Sequence, residues 1–429
     1  MSDAGKGVKL LRKAVAARAS AQRIRQRFAE QEPHAPGRFR IAVYFADSKV
    51  NMYQIRQWYR PLQELSQRHE VVVLARSAVG AEALLDDGEL PVVHLPTIAK
   101  LEAYLATQDI RIVLYVNQNT RNFQMFRYGH RWHVFINHGE SDKVYMVSNQ
   151  FRAYDYAFIA GEAARARLSK ALWNYDVDTR TIQIGRPQAD YFSAAVPYPE
   201  DGRRVVLYAP TWEGDRASMS YGSIRTHGVE LARRLLADPG YRLIYRPHPR
   251  SGVVDAEYGA ANRAIIDAIA SANAADPSAH HVYDDGPQVG WQLAAADVAI
   301  LDISAMVYDR LATGKPLLVT RPSAPEATVD EAGYLSVCEW LTADAARDAL
   351  AEIERVRTDA EATTRLATWS AHYFGDTAPG AATAKFHAAI EQLLAEWDRW
   401  HALRPANVVD HDDDDEASSE ESDVPVVEL

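Results

Sequence analysis

The sequence predicts an α/β protein of two doubly wound domains that face each other across a cleft. Three observations carry that expectation. Short apolar, β-branched runs alternate with helical periodicities, which is the pattern of a parallel sheet covered by helices on both faces. The alternation occurs twice. A proline-rich stretch poor in strand signals, Arg186 to Gly202, separates the two series.

In the first series, Arg40–Phe45, Val71–Ala75, Pro91–Leu95, Ile110–Val116, Trp132–Asn137, Tyr154–Ala160 and Thr181–Ile184 read as buried strands. Helical patterns fall between several of them, clearest at Gln54–Arg68 and Gly161–Leu172. The second series has strands at Val205–Tyr208, Tyr241–Tyr245, His281–Tyr283, Val298–Leu301 and Pro316–Val319. Its helices lie near Gly228–Ala237, Gly259–Ser271, Pro287–Ala296 and Ser304–Thr313. Two helical stretches, Ala343–Tyr373 and Gly380–Leu403, close the chain. The expected units are a basic amphipathic helix (1–37), an N-terminal Rossmann-like domain on the acceptor side (38–190), a C-terminal Rossmann-like donor domain (203–380), a closing helix (381–404) and a disordered acidic tail (405–429).

Composition is that of a globular protein, with 429 residues, 47% hydrophobic and 24% charged. Cys338 is the single cysteine, which excludes internal disulfides and a cysteine-rich zinc site, and no metal site is expected. No run approaches the roughly 20 apolar residues of a membrane span. With no secretory signal in the sequence, the expected compartment is the cytoplasm. The formal charge of −11 is unevenly spread. Residues 1–40 carry ten Lys/Arg against three acids, and residues 410–429 carry ten acids and no Lys or Arg. In the head, Leu10, Ala14, Ala17, Ala21, Ile24 and Phe28 follow helical spacing, with Lys6, Lys9, Arg12, Lys13, Arg18, Arg23, Arg25 and Arg27 on much of the remainder. Such a helix either lies on an anionic membrane surface or packs on the body or another chain.

Ligands of open α/β sheets bind at strand C-terminal ends, where helix N-termini favour phosphate. The polar clusters all follow strands. Ile136-Asn-His-Gly-Glu-Ser-Asp-Lys143 offers His138 as a base or as a structural histidine, with Gly139 for a tight turn and Lys143 as a cation. Tyr245-Arg-Pro-His-Pro-Arg250 is stiffened by two prolines and presents Arg246, His248 and Arg250 to phosphate. Leu207-Tyr-Ala-Pro-Thr-Trp-Glu213 offers Thr211. In Ile300 to Pro316, Ser304 stands at an N-cap position, and Asp302 and Asp309 orient the loop or bind hydroxyls. The absence of G-x-x-x-x-G-K-[ST] and of a strand-led G-x-G-x-x-G weakens P-loop and dinucleotide readings.

His138-Gly139, Tyr208-Ala-Pro-Thr-Trp212, Arg246-Pro-His-Pro249, and Asp302-Ile-Ser304 with Asp309 and Gly314-Lys-Pro316 stand in the order seen in CDP-glycerol glycerophosphotransferases, the teichoic acid and capsule polyol-phosphate transferases, which this chain resembles. Gly375-Asp-Thr-Ala-Pro-Gly380 is similar to the family's C-terminal end. The resemblance spans Asn137 to Ile390 and is strongest between Val205 and Val319. It implies a GT-B fold and transfer of a polyol phosphate, glycerol phosphate first, from a CDP-activated donor to a hydroxyl of a lipid-linked or polymeric cell-wall or capsule acceptor, releasing CMP. It implies His138 and His248 as catalytic residues. Donor phosphate and nucleotide contacts then fall to Arg246, Thr211, Ser304, Asp302, Asp309 and Arg250, and the acceptor side to Gly139 and Lys143. The family carries a second serine after the position of Ser304, where this chain has Ala305. No cofactor beyond the CDP-polyol substrate and no nucleic acid is implied, and oligomers are compatible. The basic head then reads as docking a cytoplasmic, peripheral enzyme to the inner membrane face. Two alternatives stand beside this reading: a GT-B glycosyltransferase using a nucleotide sugar, and a non-catalytic GT-B-like nucleotide-binding protein.

Overall fold

The computed structural model describes residues 22–29, 32–140, 147–192, 196–286, 289–330 and 332–403. The first series forms a seven-stranded sheet from β1 (Ile41–Phe45), β2 (Val71–Ala75), β3 (Val92–His94), β4 (Ile112–Tyr115), β5 (Trp132–Phe135), β6 (Tyr156–Ile159) and β7 (Thr181–Gln183), in the order β3-β2-β1-β4-β5-β6-β7. Its pairs are all parallel, as where Ile41 lies opposite both Val71 and Ile112. The second series forms a six-stranded sheet from β8 (Arg204–Ala209), β9 (Tyr241–Tyr245), β10 (Val282–Tyr283), β11 (Val298–Leu301), β12 (Leu317–Thr320) and β13 (Trp340–Leu341), in the order β10-β9-β8-β11-β12-β13. It too is parallel throughout. Counted from its own first strand, each sheet runs 3-2-1-4-5-6, and the first adds a seventh strand at the end. The order reverses between β1 and β4 in one domain and between β8 and β11 in the other, the points where such sheets bind ligands.

Strand alternation splits each core in two. Ile41, Val43 and Phe45 face one layer of buried apolar side chains, while Ala42 and Tyr44 face the other. In the second sheet Val205, Leu207 and Ala209 oppose Val206 and Tyr208 in the same way. A chain buried on both faces must spend nearly every strand position on apolar residues, which is why β1 and β2 read as unbroken hydrophobic runs.

The closing helix, Ala381–Ala402, does not stay with the second domain. Phe386, Ile390 and Leu393 enter the core of the first sheet. Trp132 Nε1 donates to the Leu393 carbonyl at 3.0 Å, and Tyr156 hydroxyl donates to Glu396 at 2.8 Å. Beneath this crossing Gly185 has φ +72, and a Cβ there would meet Ala382 Cβ at 2.9 Å and the Phe374 carbonyl at 3.1 Å. Only glycine satisfies both constraints.

Two expectations are revised. The helix read at Gln54–Arg68 is two, Met52–Arg56 and Tyr59–Ser66; Pro61 lacks an N–H and is accommodated in a first turn, so the helix restarts just before it. Ala343–Tyr373 likewise breaks at Asp359, whose carboxylate caps Ala360–Phe374 by accepting from Glu361 N at 2.9 Å. Of the readings given for the basic head, the described part, 22–29, takes packing on the body: it is helical and turns its stripe inward. Ile24 is fully buried in the first core, Phe28 packs against it, and Arg23 and Arg27 pair with Glu82 and Asp86. That turn of the head is therefore a docking element of the protein. The remainder of the head and the acidic tail lie outside the described residues, as does Lys143. Among the described residues no helix is long and apolar enough to cross a membrane.

Candidate active site at the domain boundary

On the first domain the site is built from side chains that leave β1, β4 and β5. Asp47 follows β1 and accepts from Asn51 Nδ2 at 2.6 Å and from Asn117 Nδ2, after β4, at 2.7 Å. Asn117 Nδ2 also donates to Gln54 at 2.6 Å. His138 follows β5 on a turn whose first residue, Asn137, has φ +55, a conformation asparagine tolerates. Asn137 fixes the turn itself: its side chain accepts from His138 N at 2.8 Å and donates to the Gly139 carbonyl at 2.6 Å. Trp58 Nε1 donates to the Asn137 carbonyl from the opposite side.

The imidazole of His138 is oriented by one bond. Its Nδ1 lies 3.1 Å from the Val116 carbonyl, which can only accept, so Nδ1 carries the proton and Nε2 keeps a lone pair. Tyr53 meets the ring edge-on at 5.7 Å between centroids. Burial holds the His138 pKa below 6.5; the Val116 bond opposes that, the Arg186 cation adds to it, and Asp47 opposes it. The neutral form, with Nε2 available to take a proton, is the resting state.

On the second domain the frame is made by buried carboxylates that accept backbone N–H groups. Asp302, just after β11, is fully buried. It accepts from Thr211 N at 2.7 Å, Ser223 N at 3.1 Å and Thr320 Oγ1 at 2.5 Å. Burial pushes its pKa up to about 6 against these bonds. Its oxygens shape the loop after β8, the first of the two roles, orienting the loop or binding hydroxyls, that the sequence offered for Asp302. Glu213 does the same for the next loop, accepting from Gly252 N, Val254 N and Asp255 N at 2.8–3.0 Å. Burial would raise the Glu213 pKa, but these N–H bonds bring it below the ordinary carboxylate value. Tyr258 hydroxyl donates to the Thr211 carbonyl at 2.7 Å, so the backbone of Thr211 is pinned on both sides.

Within this frame His248 is held in the opposite sense to His138. Arg250 N donates to His248 Nδ1 at 3.1 Å, so Nδ1 is the bare nitrogen and Nε2 carries the hydrogen. His248 stacks on Trp212 at 6.4 Å between centroids, and the Arg250 guanidinium lies 3.7 Å from the Trp212 ring centroid. Burial and the Arg250 cation lower the His248 pKa, with Glu213 opposing. Ser304 caps Ala305–Leu311, its Oγ accepting from Met306 N at 3.3 Å. Arg246 directs its guanidinium at Asp284 and, at 2.8 Å, at the Gly286 carbonyl. In this structure it therefore fastens the loop after β10.

The two domains are joined by a residue that carried no signal in the sequence. Arg186, directly after Gly185, is 7% exposed, and its Nη2 lies 2.6 Å from Asp309 of the second domain and 3.4 Å from Gln57 of the first. Asp309, read from the sequence as orienting the loop or binding hydroxyls, pairs with Arg186 across the domain boundary; burial raises its pKa and Arg186 opposes that rise. Arg186, Asn137, Gly139 and Gln188 line a cavity of about 50 Å³ that runs back between β5, β6 and the closing segment. Asp47, Asn117, Glu213 and Arg186 are the site-building residues that sequence reading passed over. The available signal was position: Asp47 and Asn117 leave the two strands that flank the reversal of strand order.

Residues 135–374 match the family described as CDP-Glycerol:Poly(glycerophosphate) glycerophosphotransferase. Among solved structures, the wall teichoic acid polymerase TagF superposes with a TM-score of 0.55 at 12% identity, over 92% of this chain and 99% of that one. A putative UDP-N-acetylglucosamine 2-epimerase from Listeria monocytogenes superposes with a TM-score of 0.52 at 15% identity, over 83% of this chain and 96% of that one. Another UDP-N-acetylglucosamine 2-epimerase gives 0.52 at 13% identity, over 87% and 99%. At such identities these likenesses establish the fold, two Rossmann-like domains of the GT-B type. No curated protein sequence matches.

Proposed function

Since the chain belongs to the CDP-glycerol:poly(glycerophosphate) glycerophosphotransferase family, we propose that it transfers glycerol phosphate from CDP-glycerol to a polymer hydroxyl and releases CMP, with His138 as general base. The observation that carries this reading is the pair of imidazoles locked in opposite tautomers, one with a bare Nε2 and one with Nε2–H. Group transfer needs both. The acceptor hydroxyl gives its proton to His138 Nε2 as its oxygen attacks the phosphorus that bears glycerol. The bond from that phosphorus to the bridging oxygen breaks, and the electron pair leaves with CMP. Charge accumulates on the phosphate oxygens meanwhile, and His248 Nε2–H is a fixed donor for it. The rigid frame around Asp302 and Glu213 supports positioning, since little of it must be ordered on binding.

The acceptor is proposed to be a lipid-linked or polymeric cell-wall or capsule chain. Docking of a cytoplasmic enzyme to an anionic membrane rests on Lys6, Lys9, Arg12, Lys13 and Arg18, because Arg23 and Arg27 are paired with the body. The direct test incubates the purified protein with CDP-glycerol, CDP-ribitol or a UDP-sugar and a glycerol phosphate polymer. CMP release confined to the CDP-polyols supports the reading; UMP or UDP release, or nucleotide binding without any release, overturns it.

A further inference from the structure

Four elements surround the His138 ring: the loop after β1 with Asp47, the helix Met52–Arg56 with Tyr53, the end of β4 with the Val116 carbonyl, and the segment after β7 with Arg186. Glu140, two residues on, pairs with Arg167. Of the charged side chains facing His138, Arg186 is also bonded to the other domain. A Cβ placed on Gly139 would lie 3.9 Å from Arg186 Nη1, so the guanidinium abuts the turn that carries the imidazole. Its Nη2 holds Asp309, on the helix that Ser304 caps, and its buried Nε has no hydrogen-bond partner. A guanidinium offers five N–H groups in a rigid fork, and leaving one unmatched in a buried place is costly.

We propose that Arg186 is a positioning residue that joins the His138 turn to the donor domain through Asp309 and sets a fixed cation before the imidazole. The inference rests on the reading of His138 as general base. Its consequence is that the protonation of His138 is tied to the integrity of a contact across the domain boundary. With the pair intact, the cation disfavours a second positive charge on the ring and Asp309 moderates that effect. If the pair is altered, the two possible losses act in opposite directions. Removing Arg186 makes imidazolium easier to form; removing the Asp309 charge leaves the cation uncompensated and makes it harder.

The test is the titration of the His138 ring by imidazole NMR in the substrate-free full chain, compared among wild type, Arg186→Gln, Asp309→Asn, Arg186→Lys and the Arg186→Gln/Asp309→Asn double variant. Expected are a rise of about half a pH unit in Arg186→Gln, a fall of similar size in Asp309→Asn, and values near wild type in Arg186→Lys and in the double variant. In turnover, Arg186→Gln should lower kcat about tenfold with the KM for CDP-glycerol nearly unchanged. Equal titration in all five proteins, or shifts of one sign in both single variants, overturns the proposal; general loosening of the fold cannot produce opposite signs. Because the titration needs no substrate, a wild-type protein that releases no CMP would refute the transferase reading while leaving the role of Arg186 to be judged on its own.

Discussion

The loops that leave β1, β4 and β5 in the first domain hold one another by side chains, Asp47 with Asn51 and Asn117, and Asn117 with Gln54. In the second domain the loops that follow β8 and β9 are held by buried carboxylates that accept backbone N–H groups, Asp302 from Thr211 and Ser223, and Glu213 from Gly252, Val254 and Asp255. Strand order is shared through the sixth strand, so the fold does not impose the contrast. A carboxylate spent on backbone fixes the path of a loop and presents little chemistry of its own. A side-chain network leaves backbone carbonyls such as Val116 free to aim an imidazole. The two histidines show the same lesson in miniature: what holds Nδ1 decides what Nε2 can do.

Replacing His138 with Ala should give the largest effect, a loss of about 10²- to 10⁴-fold in CMP release with CDP-glycerol affinity kept within about twofold. Steady-state turnover together with calorimetric donor binding checks it, and a loss below threefold would remove His138 as the base. Next comes the frame. Asp302→Ala strands three donors in a buried place and should cost about 3 kcal/mol in urea unfolding, against about 1 kcal/mol for Asp47→Ala, whose partners can turn to solvent. Equal costs would dissolve the distinction between the two edges.

His248→Ala should lower turnover about 10- to 100-fold and, unlike the His138 change, should weaken donor binding as well. Unaltered donor affinity would detach His248 from the phosphate. The smallest effect is on pH. Protonation removes the lone pair that His138 needs, so activity is lost as pH falls through its folded pKa, which burial places below 6.5. His248 keeps Nε2–H whether neutral or protonated and contributes no such loss. The acid limb of kcat/KM should therefore lie below pH 6.5; a midpoint at or above that value would contradict the assignment.

The two-sheet architecture was legible because a strand buried on both faces leaves no choice of residue, as in Val-Val-Val-Leu-Ala of β2. β13, two residues long and carrying a half-buried Trp340, gave no such run. The helix breaks before Pro61 and at Asp359 were masked by unbroken helical periodicity on either side. His138 and His248 were legible as motif residues, but their tautomers were not, since each depends on a backbone atom brought in by the fold. Asp302 was legible as a loop-orienting residue but its partners were not, since Thr211 and Ser223 lie 91 and 79 residues away. Arg186 stood in a proline-rich connection, and only its ion pair with Asp309 distinguishes it from an ordinary linker arginine.

The central claim is that the two site histidines are neutral and held in opposite tautomers. Nitrogen-15 correlation spectra of the imidazole rings, assigned by His138→Ala and His248→Ala and recorded near pH 7.5, read this directly. The account requires the protonated nitrogen to be Nδ1 in His138 and Nε2 in His248. Finding both rings in the same tautomer, or His138 already doubly protonated at that pH, would contradict it.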